Sequence, residues 1–372
     1  MILDKLNIIN YRNIAAADLS LSHGINCLVG PNGAGKTNVL DSIYYLSFCK
    51  SYFGLPDTVN LRHNEPFFVI QGRYSDNDIT TDIYCGVKRG SKKQFKRDKK
   101  EYPRIADHIG LLPLVIISPA DEDLIADGAE ARRRYADSVI SQCDKAYMEH
   151  LMAYNRLITQ RNILLKQLAD TPNPDTRLLD VYDIQLATHG QAISLCRRQF
   201  VQWLQPVVTN LYQHIADNAE AVSLNYITGL DRYDLYQGLV DARSRDLALG
   251  YTSRGTHKDD IDFLMDSYPI KRVGSQGQRK CFVIALKLAQ YKYLAEKKKQ
   301  LPTLLLDDIF DKLDTLRGDN LIAMLTSNDF GQIFISDTNI SRLRRVLDKT
   351  PRDFAIFNVN AGVITPANTP AQ

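Results

Sequence analysis

The run Gly30-Pro31-Asn32-Gly33-Ala34-Gly35-Lys36-Thr37 has the spacing G-x-x-x-x-G-K-T, a pattern whose residue types all serve the binding of a polyphosphate. Glycines let the backbone curl until its N–H groups face anionic oxygens, and the N-terminus of a following helix adds partial positive charge at the same place. Lys36 then reaches the terminal phosphates, and the Thr37 hydroxyl is placed to ligate magnesium (Mg2+). Asn38, the next residue, is counted with these contacts. The alternative is a plain Gly-rich turn, but an apolar strand pattern precedes the run and a helical pattern follows it, as a phosphate loop requires. Alone, the run supports nucleotide binding and nothing more specific.

Leu304-Leu305-Leu306-Asp307-Asp308 supplies carboxylates. An apolar strand delivers them side by side, and strand alternation turns neighbours to opposite faces. Asp307 is assigned to the magnesium shell and Asp308 to polarising an attacking water, which together with Lys36 would convert binding into hydrolysis. A strand end capped by solvated acids is the competing reading. Gly274-Ser275-Gln276-Gly277-Gln278 lies roughly thirty residues before Asp307, directly ahead of a long helical pattern. By itself an S-x-G-Q run is a helix-capping turn; its place in this order of motifs allows a second meaning.

The elements that must position these groups are visible in the hydrophobic periodicity. Alternation marks strands at 3–9 and 25–29, the second running into the phosphate loop, and an apolar helix is expected at 38–48. Strand-like alternation returns over 67–87, and 111–117 reads as a short buried strand ended by Ser118-Pro119. Between 120 and 218 the period becomes helical. Leu151, Tyr154, Ile158, Leu165 and Leu168 recur at threes and fours, as do Leu179, Tyr182, Leu186, Ile193 and Phe200, with Thr171-Pro172-Asn173-Pro174 as the break. An antiparallel hairpin of two helices of about 20 residues each is expected. A segment at 221–227, a helix at about 278–299 and strands at 304–306 and 332–335 follow. The expected fold class is α/β, a mixed sheet with flanking helices in which a helical arm subdomain at 120–218 splits a head made of 1–119 and 219–372.

With 372 residues, 44% of them hydrophobic, the chain can bury at least one large core. No stretch approaches the roughly 20 uncharged apolar residues of a membrane span, and Met1-Ile2-Leu3-Asp4-Lys5 lacks the regions of a secretion signal. A cytoplasmic protein is expected. The six cysteines are scattered without a Cys-x-x-Cys pair, which predicts reduced, buried thiols instead of disulfides or zinc. The net charge of +3 is too small to argue for nucleic acid from the whole chain. A local run carries that argument: residues 88–104 hold nine lysines and arginines against Asp98 and Glu101, with Phe95 and Tyr102 interleaved. Lys92, Lys93, Lys96, Arg97, Lys99 and Lys100 are the candidate phosphate contacts to DNA, and a solvated hairpin is the competing reading. Arg132, Arg133, Arg134 and Lys297 to Lys299 are lesser candidates.

Taken in order, these motifs resemble the ABC-type ATPases, whose signature motif has the S-x-G-Q form. The resemblance implies that ATP is the nucleotide. It implies further that Ser275, Gln276, Gly277 and Gln278 contact the terminal phosphate of ATP held by a second copy, giving an ATP-dependent homodimer with an interface loop at Asp311-Lys312-Leu313-Asp314. Most members carry glutamate where Asp308 stands, and the shorter side chain predicts slow hydrolysis. Within that superclass the chain is similar to the RecF family. The likeness rests on Asn10-Tyr11-Arg12-Asn13, the phosphate loop, Ser118-Pro119-Ala120-Asp121, Arg132-Arg133, Tyr154 with Gln160-Arg161-Asn162-Ile163-Leu164-Leu165-Lys166, and Gly255-Thr256-His257-Lys258-Asp259-Asp260, which matches the G-x-H-x-D-D element of that family.

The likeness adds Arg12 to the nucleotide contacts. It implies binding of DNA at gaps and junctions between single and double strands, and cooperation with RecO and RecR in loading the recombinase RecA. The chain departs from the family at Ala120 (usually glutamate), Arg279-Lys280 (Gln-Gln or Gln-Arg) and Asp311 (serine), and Ser336-Asp337-Thr338 stands where a switch histidine would be sought. His257 reads equally as a hydrogen-bonded turn residue beside Asp259 and Asp260. Two other readings compete: a nuclease-linked ATPase of the overcoming-lysogenisation type, which would need an appended acidic nuclease domain after Asp314, and the ATPase subunit of a membrane transporter.

Overall fold

The computed structural model describes residues 1–169, 171, 175–216, 220–310, 315–325, 327, 329–347 and 350–367. The expected interface loop from Asp311 to Asp314, the Pro172-Asn173-Pro174 break and the arm boundary at Asn218 lie outside them. The chain packs as two compact units, Met1–Asp121 with Gln290–Gln372, and Glu122–Ala289.

The first unit contains two sheets. One, antiparallel and ordered β2-β1-β4-β5-β6-β7, is built from β1 (Ile2–Tyr11), β2 (Ile14–Ser20), β4 (Phe67–Asp76), β5 (Ile79–Lys88), β6 (Gln94–Arg97) and β7 (Lys100–Glu101). Leu6, Ile8, Phe68, Ile70, Ile83 and Cys85 are buried on one face while their neighbours face outward, as alternation in a one-sided antiparallel sheet dictates. A register shift between Leu3 and Lys5 lets both Leu3 and Leu6 reach the core although three positions separate them. The other sheet, ordered β15-β14-β3-β13-β12-β8, contains β3 (Ile25–Val29), β8 (Leu114–Ile117), β12 (Thr303–Asp307), β13 (Ile333–Asp337), β14 (Phe354–Asn360) and β15 (Val363–Pro366), parallel except at its β15 edge. Every residue of β3, β8, β12 and β13 is buried, which is why these strands read as unbroken apolar runs.

Helix α1 (Lys36–Phe48) packs against strands of both sheets, and eleven of its thirteen residues are buried. A helix covered all round must satisfy its polar members internally: Ser47 Oγ donates to the Leu112 carbonyl at 2.5 Å, and Asp41 accepts the Tyr11 hydroxyl at 2.6 Å. α10 (Thr315–Leu325) and α11 (Ile340–Leu347) belong to the same unit. Because β3, β12 and β13 run the same way and pair Val29 with Asp337 and Asp307 with Ser336, their C-terminal ends arrive at one edge of the sheet. That edge is where open parallel sheets place ligands.

The second unit holds α2 (Asp123–Ala126), α3 (Ala129–Cys143), α4 (Lys145–Ala169), α5 (Arg177–Ala216), α6 (Leu235–Asp241), α7 (Arg243–Leu249), α8 (Ile270–Val273) and a sheet ordered β11-β10-β9, from β9 (Val222–Ile227), β10 (Asp260–Met265) and β11 (Tyr268–Pro269). The division falls within α9 (Gln276–Lys298). Residues 220–289, expected from sequence with the C-terminal part of the head, pack instead with the helices: β9 lies against α5 and β10 against α3, burying Val222, Leu224, Ile261 and Phe263. α4 and α5 form the expected hairpin, but α5 runs for 40 residues, about twice the length its first periodic stretch suggests. Pro206 does not end it, because that residue lies on the exposed side of the helix, where water can satisfy the carbonyl its missing N–H leaves. Among the described residues no helix is long and apolar enough to cross a membrane, and none of the six cysteines forms a disulfide.

Candidate nucleotide site

The phosphate loop is shaped by backbone contacts that tolerate no side chain. A Cβ on Gly30 would lie 2.0 Å from the Val359 carbonyl oxygen of β14, and Gly35 sits at φ 114°, a left-handed value that favours glycine. The Ala34 carbonyl accepts from Asn13 Nδ2 at 3.1 Å and from Gly362 N–H at 2.8 Å, beyond the end of β14. Lys36, 4% exposed, extends its ammonium along the loop and donates to the carbonyls of Gly30 (2.9 Å) and Pro31 (3.2 Å). Lys36 is also the first residue of α1, so its ammonium and the N-terminus of the helix bring positive charge to the same loop.

Thr37 joins this loop to β12. Its hydroxyl lies 3.0 and 2.9 Å from the two carboxylate oxygens of Asp307. An octahedral ion with ligands at 2.0–2.1 Å separates neighbouring ligand oxygens by about 2.9 Å, and magnesium takes hard oxygen donors of this kind. The pair therefore fits magnesium. Burial pushes the Asp307 carboxyl up from its ordinary pKa, with Asp308 adding to the rise, while hydrogen bonds from Ser336 and Thr37 and the charge of Lys36 oppose it.

Ser336 was noted in the sequence only as an absent histidine, yet the register sets it opposite Asp307. Its hydroxyl donates to Asp307 Oδ1 at 2.6 Å and accepts the Asp308 N–H at 3.0 Å. One side chain thus fixes both acids. Strand alternation does not set the second acid, because β12 ends at Asp307 and Asp308 lies beyond it in the left-handed region at φ 45°. Aspartate tolerates that region better than most residues, and such strain is held where surrounding contacts over-determine it. A serine opposite a carboxylate on a parallel neighbour could have been found only by aligning 332–335 with 304–306 before seeing the fold.

Arg12 and Asn38 stand at the base of the loop. The Arg12 guanidinium reaches Asp41 (2.9 Å), Ser51 (3.0 Å), Asn60 (3.2 Å) and Asn38 (3.4 Å), and lies 4.9 Å from the centre of the Phe53 ring. Asn38 in turn donates to Asn13 at 2.7 Å. Arg12 thus ties β1 to α1 beside the phosphate loop.

Ser275, Gln276, Gly277 and Gln278 belong to the second unit and begin α9. The Ser275 N–H donates to Gln278 Oε1 at 2.7 Å and the Gln278 N–H to Ser275 Oγ at 3.3 Å, a reciprocal capping box. Because Oγ accepts in this bond, its own proton can be donated outward, and Ser275 and Gln276 are exposed. The capping turn and a phosphate-facing helix N-terminus are thus compatible in one motif.

The G-x-H-x-D-D element lies in the same unit, with Thr256 and Asp259 buried, His257 and Asp260 half-buried and Lys258 exposed. His257 Nε2–H donates to the Thr252 carbonyl (3.0 Å), which leaves Nδ1 to accept the Tyr154 hydroxyl (2.9 Å); burial holds the ring neutral by lowering its pKa to about 4. The histidine is a hydrogen-bonded turn residue, as one sequence reading had it, but its partners are Tyr154 and Thr252 instead of the neighbouring acids. Asp259 faces Arg197 at 3.7 Å and accepts the Tyr226 hydroxyl, and Asp260 takes a two-pronged bond from Arg132 (2.8 and 2.9 Å). Arg133 donates to the Asp259 carbonyl at 2.6 Å. The element locks α3, α4 and α5 to β10, and Arg132 and Arg133 are thereby engaged.

The basic run of 88–104 forms the β5–β6 connection, β6 and the β6–β7 turn. Lys92, Lys99 and Lys100 are exposed and Lys96 and Arg97 half-buried. Lys93 turns inward, pairing with Asp57 at 2.9 Å and donating to the Cys49 carbonyl at 2.6 Å. Its sequence neighbours alternate to the surface, but Asp57 and the end of α1 draw this ammonium into the fold, so it is set apart from the other candidate contacts.

A family model described as the RecF/RecN/SMC N terminal domain matches residues 2–364. The chain is 46% identical over 365 residues to the DNA replication and repair protein RecF of Bacteroides fragilis, covering 98% of both chains. It is 46% identical over 359 residues to the protein of the same description from Flavobacterium johnsoniae, covering 96% of this chain and 100% of the relative. Among solved structures it matches the recombination mediator protein RecF-ATP in the RecFOR pathway with a TM-score of 0.88 at 27% identity, over 98% of this chain and 97% of that one. The SmcHead bound to the C-winged helix domain of ScpA matches at TM-score 0.61 and 12% identity over 99% and 97%, a likeness of fold alone.

Proposed function

This chain belongs to the RecF family, and from that premise we propose that it is an ATP-switched DNA-binding protein of replication and recombinational repair with weak, DNA-dependent ATPase activity. The observation that carries the reading is the meeting of Thr37 and Asp307, which joins a phosphate loop to a buried carboxylate at the oxygen spacing of a magnesium shell. Residues Gly30 to Asn38 cradle the polyphosphate with main-chain N–H groups, and Lys36 exchanges its carbonyl partners for the terminal phosphates. Thr37 and Asp307 hold magnesium, which when bound offsets phosphate charge. Asp308 orients and polarises the attacking water, and its short reach keeps turnover slow.

Ser275 to Gln278 of one copy face the terminal phosphate bound to another, so that nucleotide closes a homodimer and hydrolysis opens it. The closed form binds DNA at gaps or junctions without regard to sequence and, with RecO and RecR, promotes RecA loading in the cytoplasm. The relatives named DNA replication and repair protein RecF over nearly the whole chain support this reading over a transporter subunit. The test is sedimentation of the full chain with and without ATP and gapped duplex DNA, comparing wild type with Lys36→Ala and Ser275→Arg. An ATP-dependent dimer lost in both variants is expected. A dimer that survives both substitutions would show that ATP does not join two copies through these motifs.

A further inference from the structure

We propose that the outward face of the antiparallel sheet in the first unit, centred on Tyr84, is a stacking platform for unpaired bases of single-stranded DNA; the inference rests on the DNA-binding reading above. The strand registers set Gln71, Tyr84 and Lys96 in one row across β4, β5 and β6, with Val69, Gly86 and Gln94 in the next and Phe67 beside Lys88 beyond. Tyr84 does not stand off this surface. A Cβ on Gly86 would lie 2.7 Å from the Tyr84 hydroxyl oxygen and 3.0 Å from Cε1, so the ring lies down over Gly86 and needs a glycine beneath it. Glycine weakens the interior of a strand and marks a close approach, here one that lays an aromatic plane along the sheet.

Two shallow depressions flank the ring. Phe67, Val69, Gly86, Lys88 and Lys92 line one, and Gln71, Lys96 and Lys99 line the other together with Asp82. Asp82 is paired with Arg73 at 3.0 Å, so the acid at this edge is offset, and the Lys96 ammonium lies 5.6 Å from the Tyr84 ring centre. Phe67 is 39% exposed, an apolar surface beside the basic rim. A duplex presents phosphates and hides its base faces, so it would use the lysines and ignore the ring. A flat aromatic ringed by lysines matches the two demands of a single strand, stacking for bases and charge for the backbone.

The experiment uses the full chain and fluorescence anisotropy with a short oligo-dT and with a blunt duplex, in wild type, Tyr84→Ala, Tyr84→Phe and a variant carrying Lys88→Gln, Lys92→Gln, Lys96→Gln and Lys99→Gln together. Tyr84→Ala is expected to weaken oligo-dT binding by roughly five- to a hundredfold, the range of one lost base stack, with duplex affinity unchanged within twofold and Tyr84→Phe near wild type. The lysine variant should weaken both ligands and flatten their salt dependence. Unchanged oligo-dT affinity in Tyr84→Ala, an equal loss on both DNAs, or a wild type that binds duplex alone would each overturn the platform and leave the DNA-binding reading standing. A wild type that binds neither DNA overturns both.

Discussion

Replacing Ser336 by alanine removes one oxygen and two hydrogen bonds: the donation to Asp307 at 2.6 Å and the acceptance from the Asp308 N–H at 3.0 Å. The first is made to a buried carboxylate and is worth about 1.5–3 kcal/mol; the second is an ordinary bond worth about 0.5–1.5 kcal/mol. Asp307 keeps Thr37, so it is loosened and not orphaned, which places the combined loss near about 2–3 kcal/mol. Because Ser336 acts through groups assigned to metal and water, the loss should appear in magnesium use before nucleotide binding. The magnesium concentration for half-maximal ATP turnover is expected to rise roughly 10- to 100-fold, the usual effect of deleting a partner that orients a metal ligand. Binding of ATP measured without magnesium should stay within about twofold. Ser336→Cys, with a weak S–H donor of similar shape, should fall between the two. A Ser336→Ala protein that remains folded by circular dichroism yet keeps the wild-type magnesium requirement and turnover would refute the assignment of Asp307 and Asp308 to a shared, Ser336-oriented centre.

Arg161 is fully buried between Asp183 and Asp246, both at 2.7 Å; Arg161→Met leaves Asp183 to Arg243 but strips Asp246 of the cation that faces it, and urea unfolding should register a loss of about 3–5 kcal/mol. A loss below about 1 kcal/mol would mean that the cluster relaxes or admits water. Gly255→Ala meets φ 132° and a Tyr154 hydroxyl oxygen 2.3 Å from the new Cβ, so it should cost about 2 kcal/mol or more, and adding Tyr154→Phe should recover part of that by removing the clashing oxygen. No recovery in the double variant would place the cost in the backbone alone. His108 and His257 are each held neutral by burial, with pKa values lowered from 6.5 to about 4. The unfolded chain therefore takes up these protons first as pH falls, so stability is full above pH 6.5, declines between 6.5 and 4, and has lost its contribution below, by on the order of 3 kcal/mol for each histidine. The decline is read from unfolding midpoints, and His108→Gln and His257→Gln should each remove one share of it; identical pH profiles in the variants would contradict the neutral assignment.

What could be read from the chain alone follows contact distance. The phosphate loop and Asp307 are contiguous patterns whose meaning depends on the strand and helix beside them, and the fold brings Thr37 to 2.9 Å from Asp307 across 270 residues of sequence. Ser336 carried no such local mark, since its importance arises from pairing β13 with β12. Arg161 and Asn162 were legible as a family resemblance but not as physics: Asn162 accepts from the Thr252 N–H at 2.8 Å and Arg161 reaches Asp246, partners some 85 to 90 positions away. Lys93 looked like its neighbours because a basic run says nothing about which ammonium finds an acid inside. The extent of α5 was missed because the periodic run from Leu179 to Phe200 covers only part of it, and the helix continues through Pro206 on its exposed side to Ala216.

The phosphate loop leans on Val359 and Gly362, more than 320 residues later in the chain. Synthesis at 5–20 residues per second puts roughly 15 to 65 s between emergence of the loop and of the hairpin that shapes it. Until then β3 lacks both of its flanking strands, β13 and β14, and the loop lacks the carbonyl and amide against which it is moulded. The mould of the loop therefore closes only once β13, β14 and the turn after β14 have been made, so the curl of an early segment is set by strands that emerge last to join it.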